Sequence, residues 1–319
     1  MHKRKIYNLK RGSLLILSIF IFNCVYAQTE LDAIMMNKNQ FCNGFMYNYS
    51  SWDYYWEGTM KRNNQNLGTV STQSIMYGGN YGITGKLNVM IGAPYVWTKS
   101  SAGTLHQSKG LQDVSLFVKW KPFSYSLGKN KIGVYLVGGF STPLTNYQID
   151  YLPLTVGLGS TNVIGRGMVD FQHGRFSITA SASYVRRSNV KIDRNAYYDT
   201  RLHITNEVKM PDAAQYQLRT GYRGKYIIAE ALLTNWTTLG GFDITRNNMP
   251  FPSNRMNMTT VGANIKYTLK QYTHLSFLAG ANYTLAGRNV GQASAFNVGA
   301  FYVLYVKKST KQNFRNQTN

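Results

Sequence analysis

Cysteine, proline, acidic residues and long apolar runs are all scarce in this sequence of 319 residues. Of its two cysteines, only Cys42 lies beyond the predicted leader, which excludes an intramolecular disulfide framework. Charged residues make up 15% of the chain, well below the usual level of about a quarter. After residue 27, no stretch approaches the roughly 18 consecutive apolar residues that a membrane-spanning helix needs.

Acidic residues are so few that the formal charge is +22. A basic surplus of this size can indicate a nucleic-acid partner. Here, however, part of it lies at the two ends of the chain, and no nucleic-acid-binding module is present. We therefore predict no nucleic-acid partner. The terminal positive charges are Lys3, Arg4, Lys5, Lys10, Arg11, Lys307, Lys308, Lys311 and Arg315.

Residues 1–27 have the pattern of a cleaved signal peptide. A basic start is followed by a short apolar stretch over 14–22 and by the small-residue cleavage site Val25-Tyr26-Ala27. The alternative is a lipid anchor on Cys24, for which Asn23 is a poor preceding residue. An exported chain without spanning helices is soluble, peripheral or a transmembrane β-barrel.

Abundant tyrosine and glycine, 24 and 29 residues, accompany a period-2 alternation of apolar and polar residues. This alternation predicts twelve β-strands between residues 41 and 306. A short segment, 28–40, precedes them, and a basic disordered tail, 307–319, follows. The predicted strands are 42–50, 70–83, 87–97, 111–121, 131–141, 162–172, 175–186, 214–223, 226–235, 257–268, 273–285 and 293–306.

The predicted connections alternate between short and long. Short turns or links fall at 84–86, 122–130, 173–174, 224–225 and 269–272. Longer polar loops fall at 51–69, 98–110, 142–161, 187–213 and 236–256, and a shorter one at 286–292. Short periplasmic turns, long extracellular loops and an even strand number are typical of outer-membrane β-barrels.

The two faces of each predicted strand also favour a barrel. In "GLQDVSLFVKWKPF", which starts at Gly110, one face carries Leu116, Val118 and Trp120, and the other carries Asp113 and Lys119. We expect the apolar face to contact lipid and the polar face to line the lumen. The alternative is a secreted β-sandwich, which does not explain the alternating loop lengths or the apolar face on essentially every hairpin.

Charged residues on the expected lumen faces suggest a constriction or an electrostatic filter. The alternative is that they are structural pairs that hold strand register. A turn at 224–225 places Arg219 directly opposite Glu230. The predicted lumen pairs are Asp113 with Lys119, Arg166 with Asp170, and Arg219 with Glu230.

An aromatic cluster lies in "MYNYSSWDYYWEG", which starts at Met46. We interpret it as an interfacial girdle, where amphipathic rings lie at headgroup depth. The alternative is a stacking surface for a ligand at the barrel mouth. The aromatic residues are Tyr47, Tyr49, Trp52, Tyr54, Tyr55 and Trp56, joined by Tyr95 and Trp97.

The stretch with Gly110, Asp113, Lys119 and Trp120 resembles a motif of Gram-negative outer-membrane proteins, the MetA-pathway-of-phenol-degradation-like barrels. The hairpin "GGNYGITGKLNVMIGAPYVW" is similar to that family's second hairpin. The family is loosely related to FadL-type channels, and the loops and cleavage region resemble those of exported Bacteroidota proteins. The resemblance implies passage of small, largely hydrophobic solutes. FadL-type channels have a substantial N-terminal hatch, whereas 28–40 allows only a short inserted segment.

We therefore expect a passive outer-membrane channel for small hydrophobic solutes. The alternative is a barrel with a filled lumen that serves a structural, adhesion or secretion-accessory role. Expected partners are membrane lipid and lipopolysaccharide, which the basic loop 187–213 could contact. The sequence offers no catalytic or metal-binding constellation, so we predict neither an enzyme nor a cofactor.

Overall fold

A computed structural model of the chain describes residues 29–244 and 250–306. The predicted signal peptide and basic tail lie outside these described residues. Within the described ranges, no helix is long and apolar enough to cross a membrane.

Twelve long strands, each antiparallel to its neighbours, form the body of the molecule. The first strand pairs with both the second and the last, and every other strand pairs with its sequence neighbours, so the sheet closes on itself. The strands are β1 Gln40–Trp52, β2 Val70–Thr84, β3 Leu87–Ser100, β4 Asp113–Leu127, β5 Asn130–Pro143, β6 Asn162–His173, β7 Phe176–Arg187, β8 Ala213–Arg223, β9 Ile227–Thr238, β10 Asn257–Thr268, β11 Leu275–Arg288 and β12 Ser294–Tyr305.

This closed twelve-stranded barrel confirms the predicted fold class and strand number. One predicted connection is wrong, since β4 continues through the expected link 122–130 as far as Leu127. The pairing of β4 with β5 shifts register between Trp120 and Phe123, which breaks the simple alternation on which the prediction rested. The turn itself is short and contains Gly128, whose φ of 57° is the left-handed conformation that glycine adopts readily.

The register of two predicted hairpins is shifted by two residues. His173 pairs with Phe176, so Gly174, with a φ of 58°, is the first rather than the second turn residue. Glycine at the first central position is characteristic of a type II′ turn. The next hairpin is centred one residue later than predicted, because Arg223 pairs with Ile228. A shift of two residues leaves every side chain on its predicted face.

The barrel is apolar outside and polar inside. On β4, Leu116 and Trp120 are each 48% exposed on the outer face, whereas Lys119 between them is fully buried in the interior. Large apolar side chains cover the outer face of the other strands in the same way. A soluble protein has the opposite arrangement, with apolar side chains buried in a core and polar ones outside. The apolar outer face of this barrel is therefore suited to contact with lipid.

Short turns lie at one end of the barrel and long loops at the other, as predicted. The loop 51–69 contains a hairpin of Tyr54–Glu57 with Met60–Asn63, which the sequence did not predict. Residues Lys109–Leu111 form a short strand that pairs with β3. Residues 187–213 contain two two-residue ladders, Val190–Lys191 with Glu207–Val208 and Tyr197–Tyr198 with Leu202–His203.

The long loops pack on one another around an apolar cluster of their own. Its members come from the loops that follow β5, β7 and β9. At another point, Leu154 is fully buried against Leu67 and Val70, and the Thr98 hydroxyl donates to its carbonyl at 2.6 Å. These contacts fold the loops together at the long-loop end. The buried cluster comprises Ile149, Val190, Ile192, Val208, Met210 and Phe251.

Candidate functional site

The segment before β1 lies inside the barrel, near the short-turn end. Ala33 packs against Tyr135 and Met168, which point inward, and Met36 packs against Cys42. Asp32 is 4% exposed, and its carboxylate accepts hydrogen bonds from the N–H of Thr29 at 2.6 Å and of Ile34 at 3.0 Å. The segment is therefore a short insert that narrows the lumen, within the length that the sequence allowed.

Lys119 anchors this segment. Its Nζ lies 3.2 Å from the Asp32 carboxylate and donates to the backbone carbonyls of Asp32 at 2.8 Å and Ile34 at 3.2 Å, and also to that of Thr29. The partner predicted for Lys119, Asp113, instead accepts a hydrogen bond from the Tyr147 hydroxyl at 2.6 Å. That predicted pair is wrong because the sequence did not reveal that the N-terminal segment supplies the carboxylate.

Arg166 also contacts the segment rather than its predicted partner. Its guanidinium donates to the Glu30 carbonyl at 2.9 Å and to the Gln215 side chain at 3.0 Å. Two inward-facing cations, Arg166 and Lys119, thus contact the same insert, residues 29–38, from different strands. Both hold the insert through its backbone carbonyls, four of them in all, and Lys119 also binds the Asp32 carboxylate.

A second charged cluster joins β6, β8 and β9. Arg219 donates to Glu230 at 2.6 and 3.1 Å, so the structure brings this predicted pair together, although Arg219 lies opposite Leu232 in the ladder. Arg223 links the other oxygen of Glu230, at 2.9 Å, to Asp170, at 2.8 Å. Arg219 and Glu230 are diagonal neighbours in the ladder, and long side chains can reach a diagonal neighbour.

Sequence reasoning missed Arg223 and Asp32. Arg223 lies four residues after Arg219 and therefore on the same strand face, so the period-2 pattern could have identified it. Asp32 has no such signal, since the residues around it follow no strand pattern. The predicted pair of Arg166 with Asp170 does not form. Arg166 instead binds Glu30, and Asp170 binds Arg223.

The predicted aromatic cluster is divided among three environments. Tyr47, Tyr49 and Trp97 lie on the outer face near the long-loop end, with Tyr47 and Trp97 rings 6.4 Å apart. Trp52 packs against the buried Leu154 cluster, and Trp56 is buried. Tyr54 is exposed beneath Lys61, whose Nζ lies 4.9 Å from the ring centre. The outer-face group has the position of a girdle, and Trp52 and Tyr55 line a small pocket of about 60 Å³ at the mouth.

A larger cavity of about 450 Å³ lies within the lumen between the N-terminal segment and the long-loop end. Its wall comes from β8 to β12 and β1. The lining mixes thioether and aliphatic side chains with amides and hydroxyls, and includes Asp32, Arg219, Glu230 and Lys266. Within the described residues, no group of three or more His, Cys, Asp or Glu side chains could hold a metal ion.

This geometry defines the class of fold: a closed antiparallel barrel with a lipid-compatible outer face, of the outer-membrane type. A similar solved structure is an outer-membrane channel from Pseudomonas putida F1, with a TM-score of 0.70 and 14% identity over 87% of this chain and 100% of that chain. The translocator domain of the autotransporter NalP from Neisseria meningitidis has a TM-score of 0.45 and 8% identity over 84% of this chain and 89% of that chain.

A third solved structure, the CymD monoaromatic hydrocarbon channel, has a TM-score of 0.37 and 11% identity over 86% of this chain and 90% of that chain. No family model and no curated protein matches the chain. The likeness to the Pseudomonas putida channel is therefore a likeness of fold.

Proposed function

We propose that this protein resides in the outer membrane and lets small, largely hydrophobic solutes pass through its lumen. The observation that supports this most directly is the 450 Å³ cavity inside a closed barrel. Cavities of about 300–1,000 Å³ are typical of small-molecule sites. The solved protein from Pseudomonas putida F1 that has this fold is an outer-membrane channel, which is consistent with the proposal.

The proposed orientation follows the rule for bacterial barrels, with short turns in the periplasm and long loops outside the cell. The outer face would contact lipid, and the external loops would contact lipopolysaccharide. The bound segment at 29–38 narrows the periplasmic end of the lumen, so solute flux requires this segment to move. In this proposal the protein lets solutes pass through its lumen and catalyses no reaction.

Purified protein reconstituted into liposomes and planar bilayers tests the proposal. We expect single-channel events and swelling with small uncharged solutes, and larger conductance after deletion of 29–38. Migration on a gel with and without boiling verifies that each variant is folded, because a folded barrel shifts on heating. Folded protein without conductance or flux, in the wild type and in the deletion variant, would overturn the channel proposal.

One observation favours a second candidate, a barrel that does not transport. The insert and the charged cluster around Glu230 fill much of the short-turn end. A filled lumen would suit a structural, adhesion or secretion-accessory role. The same recordings separate the two candidates, since a filled barrel gives no flux even when 29–38 is absent.

A further inference from the structure

The asparagines that line the 450 Å³ cavity lie in two rows in which asparagine pairs with glycine. In the first row, Asn264 pairs with Gly280, and Gly280 pairs with Asn297. In the second row, Gly262 pairs with Asn282. The first row crosses β10, β11 and β12, the second crosses β10 and β11, and both present amide groups on the lumen face.

Glycine is needed at these positions because the amides lie flat against the backbone. A Cβ at Gly280 would lie 2.0 Å from the Asn264 Oδ1 and 3.0 Å from the Asn297 Nδ2. A Cβ at Gly262 would lie 2.0 Å from the Asn282 Oδ1. Asparagine and glycine are both unfavourable in strands. Local sequence preferences that oppose the fold concentrate at functional sites.

Several amides of the cavity lining have unused hydrogen-bonding capacity. The side-chain oxygens of Gln217, Asn264 and Asn297 are buried, and none has a hydrogen-bond partner among the described residues. A buried polar atom left unpaired costs about 1–3 kcal/mol. Rotation of an asparagine amide about its χ2 bond would turn its oxygen toward the cavity, where a hydrogen-bond donor of a ligand would remove that cost. Hydroxyl and amide groups suit the site because they both donate and accept.

The rest of the lining selects against net charge. Asp32 and Glu230 contribute two negative charges, and Arg219 and Lys266 contribute two positive ones, so the formal charges cancel. Arg219 and Glu230 are already paired with each other. Both lining carboxylates already have cationic partners, Lys119 for Asp32 and Arg219 for Glu230, so a cationic solute would lose its hydration without gaining a free carboxylate. Met46, Met258 and Leu278 add apolar, adaptable surface for the body of a ligand.

We infer that the cavity binds an uncharged, amphipathic solute, with hydroxyl or amide groups on the asparagine rows and an apolar body against the methionine and leucine side chains. This inference rests on the proposed function for its biological setting, since the bound solute would be one in transit. It narrows the class of solute from hydrophobic molecules in general to those that also carry neutral hydrogen-bonding groups.

A series of solutes with one ring skeleton tests this inference directly. Binding of methylcyclohexane, cyclohexanol, cis-1,4-cyclohexanediol and cyclohexylammonium to the full barrel in nanodiscs is measured by saturation-transfer NMR, with protein-free nanodiscs as the blank. We expect the diol and the alcohol to bind at least tenfold more tightly than either methylcyclohexane or the ammonium. Equal or tighter binding of either of the latter two would overturn the inference.

Variants locate the binding to the asparagine rows. Replacing Asn264 and Asn297 together by leucine, which has a similar shape, should weaken diol binding at least tenfold. Asn48→Leu is the matched control, since Asn48 pairs with Asn297 in the ladder but does not line the cavity, and its effect should be under twofold. Equal effects of the control and the double variant would contradict the assignment. Gln217→Met provides a single-site test if the double variant does not fold.

Liposome swelling with the same solutes separates this inference from the proposed function. Selective binding without flux supports the cavity assignment and contradicts the channel. Flux of all the uncharged solutes at equal rates, without selective binding, supports the channel and contradicts the cavity assignment.

Discussion

At the scale of single residues, the lumen is organised by buried charges that share partners. Glu230 accepts from two arginines, Arg219 and Arg223, and Arg223 continues the chain of contacts to Asp170. Each carboxylate in this cluster has at least one guanidinium within 3 Å, which compensates the loss of hydration inside the barrel. Removing one member leaves the others without that compensation.

Glu230→Gln therefore should lower the free energy of unfolding by about 3 kcal/mol, the magnitude typical of breaking a buried ion pair. The substitution keeps the size of the side chain and removes the charge that both arginines bind. The measurement is urea-induced unfolding of the barrel in lipid vesicles.

Glu57→Gln is the matched control, because Glu57 pairs with Arg62 in a partly exposed loop hairpin. A surface pair contributes only about 0–1 kcal/mol. Similar losses for the two variants would contradict a special role for the lumen cluster.

A second group of side-chain contacts, around Asp243, holds the loops together at the long-loop end. Asp243 receives two hydrogen bonds from Arg288, at 2.8 and 2.6 Å, and one from Asn289 at 2.7 Å. The hydrogen-bonded Arg288 guanidinium lowers the pKa of Asp243 from 3.8 to about 2. Because the folded pKa is depressed, the stabilisation is complete above about pH 3.8 and is lost as the pH falls through about 2.

We expect amide-exchange protection in residues 286–292 to stay constant from pH 7 to 4 and to fall only as the pH approaches 2. The measurement is hydrogen exchange by mass spectrometry, expressed as protection factors so that intrinsic exchange rates cancel. Asp243→Asn should show lower protection with no step in this range. A loss of protection in the wild type already at pH 5 would contradict the pKa shift.

At the scale of elements, residues 29–38 act as an insert that the barrel wall holds through its backbone. Lys119 contacts three of its carbonyls, and Arg166 contacts a fourth. The insert forms no strand of its own, so its position depends on these side chains and on the packing of Ala33 and Met36.

Lys119→Met should release the insert while leaving the barrel closed. Methionine keeps the apolar length of lysine but donates no hydrogen bonds, and bonds to charged groups contribute about 1.5–3 kcal/mol each. We expect at least tenfold faster hydrogen exchange in 29–38 and unchanged exchange in the strands. Lys131→Met, at an exposed position on β5, is the control. Unchanged exchange of the insert in Lys119→Met would show that packing alone holds it.

At the scale of the whole molecule, the barrel reverses the usual distribution of apolar and polar surface. β4 extends beyond β3 at the short-turn end, since Trp120 pairs with Leu87, the first residue of β3. Residues on the outer face of β4 therefore sample different depths along one strand. This gives a direct test of the membrane-spanning region.

Leu116→Arg should destabilise the barrel in lipid by about 2–4 kcal/mol, because Leu116 lies on the outer face of β4, far from the short turn that follows Leu127. Leu127→Arg, on the same strand beside the turn, should cost about 0–1 kcal/mol. Both leucines are exposed on the outer surface, so only depth in the membrane separates them. Unfolding of both variants in the same vesicles is the measurement, and equal costs would contradict the proposed membrane position.

Much of the architecture was predictable because strand periodicity is a local property. The alternation of apolar and polar residues gave the strand number and faces, and glycine marked several turns. Positions that depend on turn type were less certain: placing Gly174 second in its turn moved the predicted register by two residues. The turn predicted at 224–225 is displaced in the same way, and the contact of Arg219 with Glu230 still forms because long side chains reach a diagonal neighbour.

The sequence by itself determined that this chain forms a twelve-stranded barrel with its polar face inside, because each strand carries that information in its own period-2 pattern. The partners of the lumen charges were decided only by the tertiary structure. Lys119 binds Asp32 across 87 positions of sequence, and Asn264 and Asn297 meet over Gly280 because three neighbouring strands pair in this register. Strand pairing and barrel closure bring together residues that no local pattern connects. The cavity is enclosed by such residues.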